Sequence, residues 1–143
     1  MSTLNSYLNF NGNCFEAFEF YKSVFGGEYA MVMKNSDVPA SADNPDPGNP
    51  DGIMHMALPV GEHSILMGSD CPPAYGQVSF GSNYTISITA KDRDDADRLY
   101  QGLSAGGNAA MPMADAFWGS YFGMLEDKFK VQWMISFDKG YSM

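Results

Sequence analysis

Few side chains in this 143-residue sequence could do acid–base chemistry at neutral pH, and the histidines number only two, His55 and His63. An imidazole exchanges protons near neutrality, so His55, within the apolar segment IMHMAL, is a candidate general base. The alternative is a half-buried structural histidine with a backbone partner. The sequence offers no obvious carboxylate partner, which favours the structural alternative. His63 falls at the end of a predicted hairpin and is expected to be exposed.

The two cysteines, Cys14 and Cys71, form neither a C-x-x-C pair nor a zinc-binding spacing. Cys14 stands near a predicted helix start, where the helix dipole would favour a reactive thiolate. Free cysteines commonly pack as small apolar residues. We therefore expect Cys14 to be buried and unreactive.

Trp118 and Tyr121, in the segment FWGSYFG, are candidates for ligand contact. Each combines a large apolar surface with one hydrogen-bond donor, which suits binding surfaces. The alternative is that both rings only close the core.

These residues are positioned by a unit that occurs twice. The segment SYLNFNGNCFEAFEFYKSVFGGE predicts a strand over Ser6–Phe10, a helix capped by Asn13, and a stop at Gly26 and Gly27. A shift of 79 residues superposes its helix on DRDDADRLYQGLSAGG. Further strands are predicted at Tyr29–Met33, Ile53–Val60 and Ser64–Met67, and then at Tyr84–Thr89, near Ala109–Met113, near Tyr121–Leu125 and at Val131–Phe137.

Each half therefore has the order β-α-β-β-β. The sequence predicts an α+β protein in which residues 1–143 form one domain of two βαβββ modules, about 1–68 and 84–143. Residues 69–83 are the expected linker. Residues 35–52 form a long loop rich in Pro, Asp and Asn, which is either a solvated insertion or a functional arm.

Composition limits the partners. Seventeen acidic residues against eight basic ones give a formal charge of −9, which disfavours nucleic acids and acidic membrane surfaces. No apolar run approaches the roughly 20 residues of a membrane span, and the N-terminus lacks the pattern of a signal peptide. A cytoplasmic location is expected.

Four segments together resemble the PhnB-like branch of the vicinal oxygen chelate superfamily, which includes glyoxalase I, bleomycin-resistance proteins and extradiol dioxygenases. They are YLNFNGNCFEAFEFYKSVFGGE, IMHMALPVGEHSILMGSD, DDADRLYQGLSAGG and FWGSYFGMLEDKFKVQWMI. The resemblance implies the glyoxalase/bleomycin resistance/dioxygenase fold, with a curled mixed sheet around a shared pocket. It also implies a homodimer.

The resemblance also implies where a metal ion would bind. Metal-using members place one ligand on the first strand and one on the last strand of each module. The corresponding positions are Ser6 and Thr85, then Met134, and His55 by subtraction of 79, with Met56 or Ala57 in its place if the register slips. Only His55 is a usual ligand for a transition metal, and one imidazole cannot hold such an ion. We expect no metal and no other cofactor.

The pocket is expected to mix methionine, aromatic rings and hydroxyls, a composition that suits a small, partly apolar organic ligand. The candidate ligand-binding residues are Ser6, His55, Thr85, Trp118, Tyr121 and Met134. The favoured function is binding of a small molecule in a metal-free pocket. Two alternatives stay open: an enzyme of the superfamily (lyase, isomerase or dioxygenase, possibly metal-dependent) and an interaction protein that acts through the 35–52 loop.

Overall fold

The computed structural model describes residues 2–37 and 49–138, so most of the predicted 35–52 loop lies outside the described residues. The chain divides into two compact units, Met1–Ser79 and Phe80–Met143. The first contains β1 (Ser6–Phe10), α1 (Cys14–Phe25), β2 (Met31–Lys34), β3 (Ile53–Val60) and β4 (Ser64–Asp70). The second contains β5 (Ile86–Thr89), α2 (Arg93–Ser104), β6 (Asn108–Asp115), β7 (Ser120–Glu126) and β8 (Gln132–Asp138).

Each unit folds its four strands into one mixed sheet. The strand order is β1-β4-β3-β2 in the first unit and β5-β8-β7-β6 in the second. The two outer pairs β1–β4 and β5–β8 are parallel, and all the other pairs are antiparallel. The α+β class and the βαβββ order of each half are thereby confirmed, whereas a pocket shared by the two halves stays a prediction.

Strand bounds differ from the sequence expectation mainly at the ends. β4 continues three residues beyond Met67, to Asp70, and β2 starts at Met31 rather than Tyr29. β5 starts at Ile86, two residues later than predicted. The predicted hairpin turn at Gly61 connects β3 and β4, where that glycine has a φ of 68°, a conformation that favours glycine.

Helix α1 packs its apolar stripe on one face of the first sheet. Its buried residues are Cys14, Ala17, Phe18, Tyr21 and Val24. The Phe18 ring lies directly over Gly68 in β4: a Cβ placed at Gly68 would be 2.7 Å from Phe18 Cε1. The missing side chain therefore lets the helix sit close to the sheet.

The start of α1 is capped differently from the sequence prediction. Asn13 occupies the N-cap position but makes no side-chain hydrogen bond to the helix. The carboxylate of Asp70, at the end of β4, accepts hydrogen bonds from the N–H groups of Gly12 and Cys14, both at 2.9 Å. Its second oxygen accepts from Ile53 N–H at 2.9 Å, which joins the helix start to the start of β3.

Helix α2 covers one face of the second sheet in the same way. Asp92 caps it by accepting from Asp95 N–H at 2.7 Å, in line with the acidic first turn seen in the sequence. Tyr100 packs against Gly123 in β7, and its hydroxyl shares its one proton between the carbonyl oxygens of Met111 and Met124, each 3.0 Å away. One side chain of α2 thus binds both β6 and β7.

A buried carboxylate orders the turn between β7 and β8. Asp127 is almost completely buried, and one oxygen accepts from the N–H groups of Phe129 and Val131. The other accepts from the indole N–H of Trp133 at 2.8 Å. These charge-assisted bonds compensate the burial of the carboxylate and fix the turn.

Within the described residues, neither helix has the length and the apolar sequence that crossing a membrane would require.

Replacing Gly68 by alanine should destabilise the fold, because the added methyl group would meet Phe18 Cε1 at 2.7 Å and the Leu8 carbonyl oxygen at 2.9 Å. Overpacking of this kind costs about 1–3 kcal/mol. Urea unfolding would measure it, with Gly81→Ala as the control, because the nearest atom to a Cβ there is 3.5 Å away. Equal stability of the two variants would contradict the proposed close packing.

Candidate ligand-binding faces

Each sheet has one face covered by its helix and one that the helix leaves free. Residues paired across neighbouring strands share a face, so the pairs Tyr7–Met67, Met67–Ala57 and Ala57–Met31 define the helix-free face of the first unit. Met33 and His55 extend it by alternation. Tyr7 and Met31 are among the large apolar residues that remain exposed.

The most specific contact on this face joins Tyr7 and His55. The Tyr7 hydroxyl lies 3.2 Å from His55 Nδ1, and the two rings stack with centroids 5.6 Å apart. The hydroxyl donates a hydrogen bond to Nδ1 or accepts one from Nδ1–H, depending on the tautomer. Within the described part of the chain His55 forms no other hydrogen bond, so Nε2 is available to a ligand.

The helix-free face of the second unit follows from the pairs Met124–Met134 and Phe122–Ser136. Met111 on the edge strand β6 pairs with Met124 and is half-exposed. Three methionines and one phenylalanine therefore form an apolar strip. Methionine side chains adapt to irregular shapes, which suits contact with a small molecule.

Trp118 extends this strip from the turn between β6 and β7. Its side chain is 54% exposed, and its ring meets Phe122 edge-to-face at 5.8 Å. Gly119 follows with a φ of 96°, a left-handed conformation that allows the tight turn. Of the two predicted roles for Trp118, contact with a ligand therefore fits this exposed position, whereas core closure does not.

Polar groups mark the other end of the strip. Gln132 Nε2 donates to the Glu126 carboxylate at 2.7 Å across the β7–β8 pair. The Gln132 N–H donates to the Tyr84 hydroxyl at 3.3 Å. Burial raises the pKa of Tyr84, so its hydroxyl stays protonated at neutral pH and can also donate. The strip runs from aromatic to polar along β7.

Two of the six predicted ligand-binding residues lie on the faces that the helices cover. Ser6 pairs with Leu66 and shares the α1 face with Phe10. Tyr121 is nearly buried under α2, where its hydroxyl donates to Asp97. That hydrogen bond and burial raise the pKa of Tyr121, and the Arg93 guanidinium lies 3.9 Å above its ring. Of the two predicted roles for Tyr121, its position fits packing.

The correspondence between His55 and Met134, expected from a constant shift of 79, is wrong. His55 lies on β3, the third strand of its unit, whereas Met134 lies on the last strand, β8. The pairing places Met67 at the position equivalent to Met134, since each pairs with both the first and the third strand on the helix-free face. The connection between the second and third strands is 35–52 in the first unit and 116–119 in the second, a difference in length that no single shift can represent.

A shift of 79 residues also misaligns the first strands of the two units, β1 and β5, by one residue. The helix-facing residues are Leu8 and Phe10 in β1 but Ile86 and Ile88 in β5, so an even number separates equivalent positions. Ser6 and Thr85 are therefore not equivalent. Thr85 precedes β5 by one residue and is partly buried.

Both cysteines are free thiols. Cys14 is fully buried, as expected, and burial together with the nearby Asp70 carboxylate raises its pKa well above the ordinary range of a thiol. It therefore stays protonated and unreactive. Cys71 is partly exposed.

Sequence reasoning missed Tyr7, Phe122 and Glu126 as parts of the helix-free faces. Strand alternation carries the signal for Phe122 and Glu126, because each has buried neighbours on both sides. For Tyr7 the signal is weaker, since its neighbours Ser6 and Leu8 are only partly buried. The alternation does not show which of the two sheet faces the helix covers.

The described residues contain no group of three or more His, Cys, Asp or Glu side chains that could hold a metal ion. His55 has a phenol as its neighbour, and Glu126 has an amide. In each unit the donors on these faces fall short of the three or four that a transition metal needs. We therefore derive no chemistry through a metal.

Comparison with known proteins identifies the family. Residues 3–135 match the model of the Glyoxalase/Bleomycin resistance protein/Dioxygenase superfamily. The chain belongs to this superfamily. The Escherichia coli protein YjdN is 31% identical over 140 residues, which cover 93% of each chain.

Two solved structures share the fold of this chain. Protein PA1353 from Pseudomonas aeruginosa has 37% sequence identity and a TM-score of 0.83, with 96% of this chain and 98% of that one covered. A Bacillus cereus protein titled putative 3-demethylubiquinone-9 3-methyltransferase, PhnB protein, has 22% identity and a TM-score of 0.74 over 95% and 99% of the chains. The latter likeness shows the fold, in agreement with the resemblance to the PhnB-like branch.

The different exposure of the two tryptophans can be tested by acrylamide quenching. Trp118 is 54% exposed and Trp133 is 2% exposed, so most quenching of the intrinsic fluorescence should come from Trp118. Trp118→Phe should leave emission that acrylamide barely quenches. Strong residual quenching in this variant would show that the indole of Trp133 is accessible, contrary to its bond with Asp127.

Proposed function

We propose that this protein binds a small, partly apolar organic molecule, without a metal ion, on the helix-free faces of its sheets. The observation that carries the proposal is the exposure of Trp118 beside Phe122 and the methionines of β7 and β8. Large apolar side chains are usually buried, so a cluster left on one sheet face marks a binding surface. Membership of a superfamily that contains binding proteins and enzymes is compatible with this function but does not select it.

The polar groups on each face would orient a ligand bound to that unit. In the second unit these are Glu126 and Gln132, at one end of the strip, and in the first unit they are Tyr7 and His55. Ligand sites typically combine apolar walls with a few such groups. The homodimer implied by the family resemblance stays a prediction.

Binding of the neutral dye Nile red, in buffer that contains a chelator, would test the proposal. Truncation of an exposed aromatic anchor costs about 1–3 kcal/mol of binding energy, so Trp118→Ala should weaken dye binding about tenfold. Tyr75→Ala is the control, since Tyr75 is 80% exposed but lies in the loop after β4.

A screen of metabolites by thermal shift would then look for the natural ligand, because a ligand at about a hundred times its Kd adds roughly 2.7 kcal/mol of stability.

Two outcomes of the dye experiment would contradict the proposal. Equal loss of dye binding in Trp118→Ala and Tyr75→Ala, or no loss in either, would contradict the site. Dye binding that is seen only in buffer without the chelator would contradict the metal-free mode.

The Tyr7–His55 pair favours a second candidate, an isomerase or lyase that transfers protons. In the tautomer that carries its proton on Nδ1, the ring donates to the Tyr7 hydroxyl, and Nε2 can accept a proton from a carbon next to a carbonyl group. This step gives an imidazolium ion and an enolate. The Nε2–H group of the imidazolium then returns the proton to the enolate, which restores the neutral ring.

Deuterium incorporation would separate the two functions. In D₂O, an isomerase should exchange the protons next to the carbonyl group of hydroxyacetone or pyruvate for deuterium. Proton NMR would measure this exchange as the loss of the corresponding signals. His55→Gln should abolish the exchange and Tyr7→Phe should slow it, whereas the exposed His63→Gln should leave it unchanged. Exchange that persists in His55→Gln would exclude His55 as the base.

A further inference from the structure

Two methionines lie beside His55 on the helix-free face of the first unit. Strand β2 carries Met31 and Met33, and Met33 pairs directly with His55 on β3. The Cβ atoms of directly opposed residues are about 4.5–5.5 Å apart, and long side chains also reach their diagonal neighbours. Met31 is such a diagonal neighbour, because it pairs with Ala57, two residues beyond His55. Two thioether sulfur atoms are therefore within reach of one imidazole.

The contact with Tyr7 determines which side of the imidazole faces these methionines. The strand order is β1-β4-β3-β2, so Tyr7 on β1 and the methionines on β2 lie on opposite sides of His55. The Tyr7 hydroxyl lies 3.2 Å from Nδ1. Because the two nitrogens of an imidazole point to different sides of the ring, this contact turns Nε2 away from β1 and toward β2.

The three side chains are accessible to an ion from solvent. Met31 is 45% exposed, and Met33 and His55 are partly exposed. Strand β2 is the edge strand of its sheet, and α1 covers the other face. An ion can therefore reach Nε2 and both sulfur atoms without any change in the packing of the core.

This set of donors suits a soft monovalent ion. Zinc takes three or four nitrogen, oxygen or thiolate ligands, and the described residues contain no suitable group of His, Cys, Asp or Glu side chains. Thioether sulfur is a soft ligand that selects Cu(I), and imidazole also suits copper. Cu(I) accepts fewer ligands than zinc, so one imidazole and two thioethers can complete its coordination. The formal charge of −9 also attracts a cation.

The hydrogen bond between Tyr7 and His55 matches the usual surroundings of a metal-binding histidine. Such a histidine generally donates its other ring N–H to an oxygen atom, which fixes the tautomer and the orientation of the ring. A proton on Nδ1, donated to the Tyr7 hydroxyl, leaves Nε2 unprotonated, as metal binding requires. The stacking of the two rings, with centroids 5.6 Å apart, restricts the imidazole further. Tyr7 is therefore a positioning residue for this site.

We propose that His55 Nε2 and the thioether sulfur atoms of Met31 and Met33 bind Cu(I). The site lies in the first unit and does not depend on the binding of an organic molecule to the Trp118 strip of the second unit. An ion on Nε2 excludes the use of that atom as a general base, so copper binding and proton transfer are alternative roles of His55.

Titration with Ag(I), which also prefers soft ligands and does not disproportionate, would locate the ion. The protein would carry Cys71→Ser, because the partly exposed thiol of Cys71 is a competing soft ligand. The readout is the ¹H–¹³C NMR spectrum of the methionine methyl groups. The signals of Met31 and Met33 should shift until one equivalent of Ag(I) has been added. Shifts confined to other methionines, shifts spread evenly over all of them, or no saturable shift would overturn the proposal.

Competition with the Cu(I) chelator bicinchoninate, without oxygen and with ascorbate present, would measure affinity in the same Cys71→Ser protein. Tyr7→Phe should weaken Cu(I) binding about tenfold, as expected for the partner of a metal ligand. Met33→Leu removes a ligand and keeps the apolar volume, so its effect should be larger. Met54→Leu is the matched control without effect, since Met54 precedes His55 on β3 and projects from the opposite face.

Equal affinities of Met33→Leu and Met54→Leu would overturn the assignment of the sulfur ligands. The ¹⁵N chemical shifts of the imidazole give a readout that a packing role of Tyr7 would not change. Ag(I) should move the Nε2 signal of His55 and leave Nδ1 protonated, and an ion on Nδ1 would contradict the proposed geometry. If Met33→Leu does not fold, the methyl shifts caused by Ag(I) still decide the proposal.

Discussion

The contact between a helix aromatic ring and a glycine of the sheet determines how each unit is built. Phe18 lies on Gly68 and Tyr100 lies on Gly123, and in both places a Cβ would come within about 3 Å of the ring. Close packing on one face of the sheet buries the apolar stripe of α1 or α2. Because the described residues of each unit include one α-helix, α1 or α2, the opposite face keeps exposed methionines and aromatic rings.

Two carboxylates then fix the ends of the strands. Asp70 holds the start of α1 and of β3, and Asp127 closes the turn between β7 and β8. Each accepts three N–H groups, so each would leave several unsatisfied donors if it were removed. The two units thus fix their strand ends with different residues, which lie at different ends of their sheets. The duplication is therefore visible in the strand order rather than in the polar contacts.

Most of the fold could be predicted from the sequence because its signals are local. The helical spacing of Ala17, Phe18 and Tyr21, the Gly26-Gly27 stop and the alternation in the strands depend only on neighbouring residues. The site could be predicted only in part. Which face a helix covers depends on contacts between distant residues, so Tyr121 and Trp118 were indistinguishable as candidates although one is buried under α2 and the other is exposed. The correspondence of His55 with Met134 failed for a related reason, since loop lengths differ between the halves.

The hydrogen bond from Trp133 to Asp127 has a consequence for spectroscopy. Both tryptophans of the chain, Trp118 and Trp133, belong to the second unit, and the first unit has none. An indole that leaves its carboxylate partner and enters water changes its emission, so tryptophan signals report the closure of one hairpin in Phe80–Met143. Unfolding confined to Met1–Ser79 would not change the tryptophan fluorescence. Tyrosine or backbone signals would be needed to detect it.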